Sequence, residues 1–253
     1  FAGGAIMSGK YSSRMDQLES QIAELNKEEE QLVINTGSAP AVSSTASGKM
    51  AASSIYDLAC QQVVGISSEI TYSNFFGMTS SAAVSGSGFI VSSDGYIITN
   101  YHVIQDAYEG NFDINVMTHD GTKYIATVVG TEQDNDIAVL KIDAEGLNPV
   151  TFGDSDELAV GDTVYAVGNP LGELEFSMGT GHVSAKDRAI TTEESTTPIN
   201  VFQIDAAVNS GNSGGPVYND QGQVVGVVNA KYSATGVEGI GFAIPAIDAV
   251  SIA

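Results

Sequence analysis

Gly88-Phe89-Ile90-Val91-Ser92-Ser93-Asp94-Gly95-Tyr96-Ile97-Ile98-Thr99 reads as two short strands around a tight turn. Both arms are rich in β-branched and aromatic residues. Asp94-Gly95 supplies the positive φ that a tight hairpin needs. The same pattern repeats outward. Val116 to Thr118 and Tyr124 to Val129 flank a second turn of this kind at Asp120-Gly121. Further strands are expected over Ile137 to Ile142, Thr163 to Val167, Gln223 to Val228 and Ile240 to Ile244. Long helical periodicity is absent until the final Pro245 to Ile252 segment. Many short strands with regular turns predict an all-β barrel or sandwich.

This globular part is expected over residues 55–253. Before it, Thr36 to Ser54 is rich in Ser, Ala, Gly and Thr and reads as a flexible linker over 36–54. Residues 1–35 form a third region. Met15, Leu18, Ile22, Leu25 and Leu32 recur at spacings of three and four, with charged residues between them. This narrow stripe fits a coiled-coil seam or a single amphipathic helix lying on its own domain. The chain begins at Phe1 and reads as a fragment or processed form. Phe1 to Met7 is apolar and small, far short of the roughly 20 apolar residues of a membrane helix. It reads as the stub of a removed anchor or as a disordered end.

Composition narrows the function. The 253 residues carry 31 acidic against 9 basic side chains, a formal net charge of -22. Such a surface repels phosphate backbones, which argues against a nucleic-acid partner. Cys60 is the only cysteine, so no disulfide forms within the chain. It is expected at a buried position on a short helix. His and Cys are few and scattered, so neither a metal site nor a cofactor is expected.

The chemistry centres on Gly211-Asn212-Ser213-Gly214-Gly215-Pro216. Serine needs a base and an oxyanion site to act as a nucleophile. Flanking glycines let the backbone bend and a carbonyl approach. The N–H groups of Gly211 and Ser213 are then candidate oxyanion donors, each worth about 3 kcal/mol in a transition state. The hexapeptide also fits the Gly-x-Ser-x-Gly elbow of α/β-hydrolases. An elbow enzyme, however, places its histidine after the serine. All three histidines here precede Ser213. The order histidine, aspartate, serine remains.

His102 follows the apolar strand Tyr96 to Thr99 and is the candidate base, held at a strand end. His119 sits beside a turn, and His182 lies on an expected strand. Asp136 borders the strand Ile137 to Lys141 and is preferred to Asp134 as the acid. Asp205 reads as a loop-shaping residue.

These segments resemble the HtrA/Deg family of trypsin-fold serine proteases. The resemblance runs from Val63 to Pro245. It rests on Gly86 to Val91, Thr99 to Ile104, Asp136 to Lys141, Gly153 to Ser155, Val160 to Asp162, Ala166 to Pro170, Gly211 to Pro216 and Gly239 to Pro245. It implies two perpendicular six-stranded β-barrels, the first over about 62–150 and the second over about 158–247, with short terminal helices. His102 and Asp136 would come from the first barrel and Ser213 from the second. It also implies extracytoplasmic quality control in bacteria, with unfolded or misfolded polypeptides as substrates. Val208 matches a position lining the primary specificity pocket, which suggests small aliphatic residues before the cut. Asn229, Ala230 and Lys231 match the segment that pairs with substrate as a strand. Tyr72, Phe75 and Phe76 look like the aromatic patch that holds family trimers. Loops near Leu171 to Ser177, Asp187 to Asn200 and Lys231 to Glu238 match those that rearrange on activation. Family members usually carry PDZ domains after the protease, whereas this chain stops at Ala253.

Overall fold

The computed structural model describes residues 48–73, 79–169, 176–191, 197–230 and 239–253, without the side chains of 71–73, 79–82 and 210. The expected helix within residues 1–35, most of the 36–54 linker, Phe75, Phe76 and Lys231 lie outside the described residues. So do the Tyr72 side chain and much of the three loops expected to rearrange.

Among the described residues, twelve strands close into two barrels of six. The first holds β1 (Val63–Ser73), β2 (Thr79–Ile90), β3 (Tyr96–Thr99), β4 (Ile114–Met117), β5 (Lys123–Glu132) and β6 (Ile137–Lys141), in the order β1-β2-β3-β6-β5-β4. The second holds β7 (Thr163–Gly168), β8 (Ser177–Ile190), β9 (Ile199–Ile204), β10 (Pro216–Tyr218), β11 (Val224–Asn229) and β12 (Gly241–Pro245), in the order β10-β11-β12-β9-β8-β7. Pairing within both barrels is antiparallel.

The opening hairpin forms as its residues dictate. Phe89 pairs with Ile98 and Ile90 with Ile97. The Val91 N–H donates to the Tyr96 carbonyl at 2.9 Å. Gly95 takes φ 105°, and a Cβ there would strike the Ile142 carbonyl.

The central strands are apolar at successive positions because both faces are buried. Ile97, Ala138 and Leu140 point into the first barrel, while Ile98, Ile137 and Val139 face a layer shared by both barrels. In β7, Val164 and Ala166 fill the second barrel, and Tyr165 and Val167 join the shared layer. In β11, Val224 and Val227 share a face although three residues apart. The irregular register opposite Val217 and Tyr218 shifts the alternation there. The core is thus three apolar clusters: one inside each barrel and one between them. Each large aliphatic side chain removed from water contributes about 1.5–3 kcal/mol.

Three α-helices accompany the barrels among the described residues. Helix α1 (Ala52–Gln62) buries Ile55, Ala59 and Cys60 in the shared layer. It begins before the expected boundary at Ile55, and the Met50 N–H already donates to the Asp220 carbonyl at 2.7 Å. Helix α3 (Ala246–Ile252) closes the described chain. Helix α2 (Tyr101–Gly110) corrects the expectation that His102 sits at a strand end. Tyr101, Val103, Ile104 and Ala107 form its buried face, a helical spacing hidden in a run of only ten residues. Asn111 ends it in the left-handed conformation at φ 55°. Strands β1, β8, β9 and β10 were not delimited from the sequence.

Candidate active site

The site is built where β3 hands the chain to α2, where the chain enters β6, and where β10 begins. Asn100 precedes α2 with an extended backbone. Its side chain does not cap the helix. The amide nitrogen donates to the Asp136 carbonyl at 3.0 Å, joined by the Tyr101 N–H at 3.2 Å. These bonds lock the first turn of α2 onto the loop before β6.

Asp136 has φ 55°, in the left-handed region. Aspartate tolerates that region better than most residues, but the conformation still costs on the order of 1 kcal/mol. It persists because its neighbours hold both backbone and side chain. The His102 backbone N–H donates to Asp136 Oδ1 at 2.9 Å, and the His102 ring Nδ1 lies 2.7 Å from Oδ2. Asp136 is 5% exposed. A buried carboxylate keeps its charge only where donors surround it. Nδ1 facing that carboxylate carries the ring proton, which leaves Nε2 as the acceptor. Asp134 is exposed, and His119 is exposed beside its turn. His182 lies on β8, and its N–H donates to Asp205 Oδ1 at 2.5 Å.

Ser213 follows the 3-10 turn Ser210–Asn212 and is 2% exposed. The Asn212 N–H donates to the Asn209 carbonyl at 2.9 Å. Gly214 takes φ 80°, and a Cβ there would strike the Ser87 carbonyl and the Thr99 hydroxyl. The glycine lets the serine turn lie flat against β2 and β3. From β11 the turn is held by Gly214 N–H to Val228 carbonyl at 2.9 Å and Val228 N–H to Gly215 carbonyl at 2.8 Å. Ser213 Oγ accepts the Ala230 N–H at 3.3 Å.

Several residues that position the site were missed in the sequence. Ser87, fully buried on β2, donates through Oγ to the Gly211 carbonyl at 2.7 Å, and its N–H donates to the Ser213 carbonyl at 2.8 Å. Its Oγ accepts the Asn169 N–H at 2.8 Å. Thr99 Oγ1 donates to the Ser87 carbonyl at 2.7 Å. A serine between two glycines, just ahead of the apolar run Phe89 to Val91, was the available signal. Asn229 had been matched to the substrate-pairing segment. Its side chain is fully buried, and Nδ2 donates to Asp136 Oδ2 at 2.7 Å. Val208 packs against the interior of the second barrel, where a Cβ on Gly241 would lie 2.7 Å from its Cγ2.

The trypsin-like peptidase domain family matches residues 86–227. The chain belongs to that family. Its described part is an HtrA-type protease domain. It is 43% identical over 206 residues to the "Serine protease Do-like HtrA" of Bacillus subtilis, covering 76% of this chain and 45% of the relative. It is 46% identical over 190 residues to the "Probable periplasmic serine endoprotease DegP-like" of Chlamydia trachomatis serovar D, covering 70% of this chain and 36% of the relative. Among solved structures, the "HtrA-type protease AlgW with decapeptide" superposes with a TM-score of 0.67 at 32% identity, covering 78% of this chain and 65% of that one. The chain thus spans between a third and a half of the curated relatives' length.

Proposed function

We propose that this HtrA-type domain is a serine endopeptidase acting on unfolded or misfolded polypeptides outside the cytoplasm. The contact of His102 Nδ1 with Asp136 Oδ2 carries the reading. It leaves Nε2 free to accept the Ser213 hydroxyl proton while Ser213 Oγ attacks the scissile carbonyl. Asp136 holds the imidazole tautomer and stabilises the imidazolium that forms. The Gly211 and Ser213 N–H groups are the proposed oxyanion donors. His102 then returns its proton to the leaving amine, and water hydrolyses the acyl-enzyme by the reverse route. No cofactor or metal enters these steps.

The modest apolar side chain of Val208 supports a preference for small aliphatic residues before the cut. Through their backbone, Asn229, Ala230 and Lys231 are proposed to pair with the substrate as a strand. The periplasmic name of the chlamydial relative supports an extracytoplasmic setting in bacteria. A trimer held by Tyr72, Phe75 and Phe76, with a membrane anchor ahead of residue 1, completes the proposal. Sedimentation as a monomer would remove the trimer from it.

Digestion of casein by the parent and by Ser213→Ala, with fragments mapped by mass spectrometry, tests the reading. Cleavage after small aliphatic residues by the parent alone is expected. Loss of the serine should lower turnover by about a millionfold. Equal cleavage by both proteins, or none by the parent with Ser213 inert to a fluorophosphonate, would overturn it.

A further inference from the structure

The first barrel carries a groove of about 530 Å³ on its outer face. Strand alternation builds it. Ile66 of β1, Val116 of β4 and Ala126 of β5 point into the barrel, so Gly65, Ser67, Asn115, Met117 and Lys123 point outward. Register then aligns them. Ser87 of β2 lies opposite Gly65 of β1, Gly65 opposite Met117 of β4, and Met117 opposite Lys123 of β5. One row thus crosses four strands from Ser87 to Lys123, and Ser85, Ser67 and Asn115 form the row beside it. The floor is low because these residues are small. At Gly65 it must be so, since a Cβ there would strike the Asn169 side chain. Met117 and Lys123 stand taller at the far wall.

Position and charge both bear on what fills the groove. The Ser87 N–H donates to the Ser213 carbonyl at 2.8 Å, so the row starts beneath the turn of the candidate nucleophile. Val103, next to His102, packs onto Gly86 of β2, where a Cβ would lie 2.7 Å from it. In the proposed reaction His102 returns its proton to the leaving amine, which places the substrate downstream of the cut on the first-barrel side. The upstream part is assigned to the end of β11 in the second barrel. As to charge, the ammonium groups of Lys49, Lys141 and Lys186 meet Asp220 and the Asp94 and Asp156 carbonyls. The exposed Lys123 ammonium has no such partner among the described residues, in a chain with 31 acidic side chains. Glu69 lines the opposite end of the groove, beyond Ser67, and repels an acid there.

We infer that this groove holds the polypeptide downstream of the cut and that Lys123 selects an acidic side chain about four or five residues beyond it. The inference rests on the peptidase reading above. Lys123 lies three strand spacings from Ser87, about 14 Å, which about four extended residues cover. The attraction is that of an exposed ion pair, modest and screened by salt.

The test uses peptides that run six residues past a cut site mapped in the casein digest, with glutamate or glutamine at each downstream position in turn. The readout is kcat/KM for the parent, Lys123→Gln and Lys123→Glu, with folding checked by circular dichroism. At the fourth or fifth position the glutamate-to-glutamine ratio of the parent should exceed that of Lys123→Gln by about twofold to fivefold. Lys123→Glu should lower it further. At the first position the three proteins should give the same ratio. The differences should fade near 1 M salt, where the screening length is about 3 Å. Equal ratios in all three proteins at every position would overturn the inference. So would a shift spread evenly over all positions, the mark of the overall field of the protein. If the parent neither cleaves nor reacts with a fluorophosphonate at Ser213, the peptidase reading fails instead.

Discussion

At Asp136 a left-handed backbone and a buried carboxylate are held by the same few neighbours, so small chemical changes there are felt directly. Asp136→Asn keeps the shape but replaces an acceptor facing the ring with a donor, which favours the wrong imidazole tautomer. Under the proposed mechanism a drop in kcat of about ten-thousandfold is expected, with folding retained by circular dichroism. Cys60 is the opposite case. Its thiol is buried on α1, and burial pushes its pKa up, with the Asp57 charge adding to the effect. Iodoacetamide at neutral pH should label it in urea-unfolded protein and leave the native protein unlabelled over the same time. Tyr101 gives a pH effect with a definite sign. Burial and the hydrogen bond it donates to Glu109 raise its pKa from 10.0 to about 12. The folded state therefore favours the neutral phenol. That stability is fully present below pH 10 and is lost as pH rises through about 12. Tyr101→Phe should lack this part of the alkaline fall in melting temperature. Residues of this kind differ in legibility. His102 and Asp136 stand out as candidates because each borders an apolar strand. Ser87 and Asn229 do not, because their work is hydrogen bonding across chain separations of 124 and 93 residues.

The hairpin of β2 and β3 does more than supply core. Through Ser87, whose own carbonyl is held by Thr99, it grips the serine turn of the other barrel. Ser87→Ala would leave the Gly211 carbonyl and the Asn169 N–H without this partner, at a cost of about 1–3 kcal/mol for a buried group. Urea denaturation should register that cost, and a fluorophosphonate should label Ser213 more slowly than in the parent. Element by element, legibility followed pattern strength. The Asp-Gly hairpins declared themselves through turn chemistry, and β3, β6, β7, β11 and β12 through apolar runs. Helix α2 was missed because ten residues carry few turns of periodicity. Strand β1 is broken up by Gly65, Ser67 and Ser68, and β8 by Gly179, Gly181, Lys186 and Asp187, so neither shows an apolar run. What holds them in place is pairing to distant strands, which local residue types do not announce.

Across the domain, the layer between the barrels is as apolar as either interior. Phe89, Ile98, Val139, Tyr165, Tyr218 and Val227 meet there with α1. Two barrels sharing such a layer should unfold together. Tyrosine fluorescence and circular dichroism should give one coincident urea transition. Phe89, fully buried and edge-on to Phe152 at 6.2 Å, is the place to test it. Phe89→Ala should cost about 3–5 kcal/mol and shift both signals equally. The shared layer also has a consequence during synthesis. A ribosome releases the chain from its N-terminus, so His102 and Asp136 emerge first, Ser213 about eighty residues later, and Asn229 later still. A nascent chain then holds the candidate base and acid without the candidate nucleophile. When the serine does appear, β11, whose Val228 bonds the serine turn, has yet to follow it. The parts of the proposed triad therefore come together only once most of the second barrel has been made.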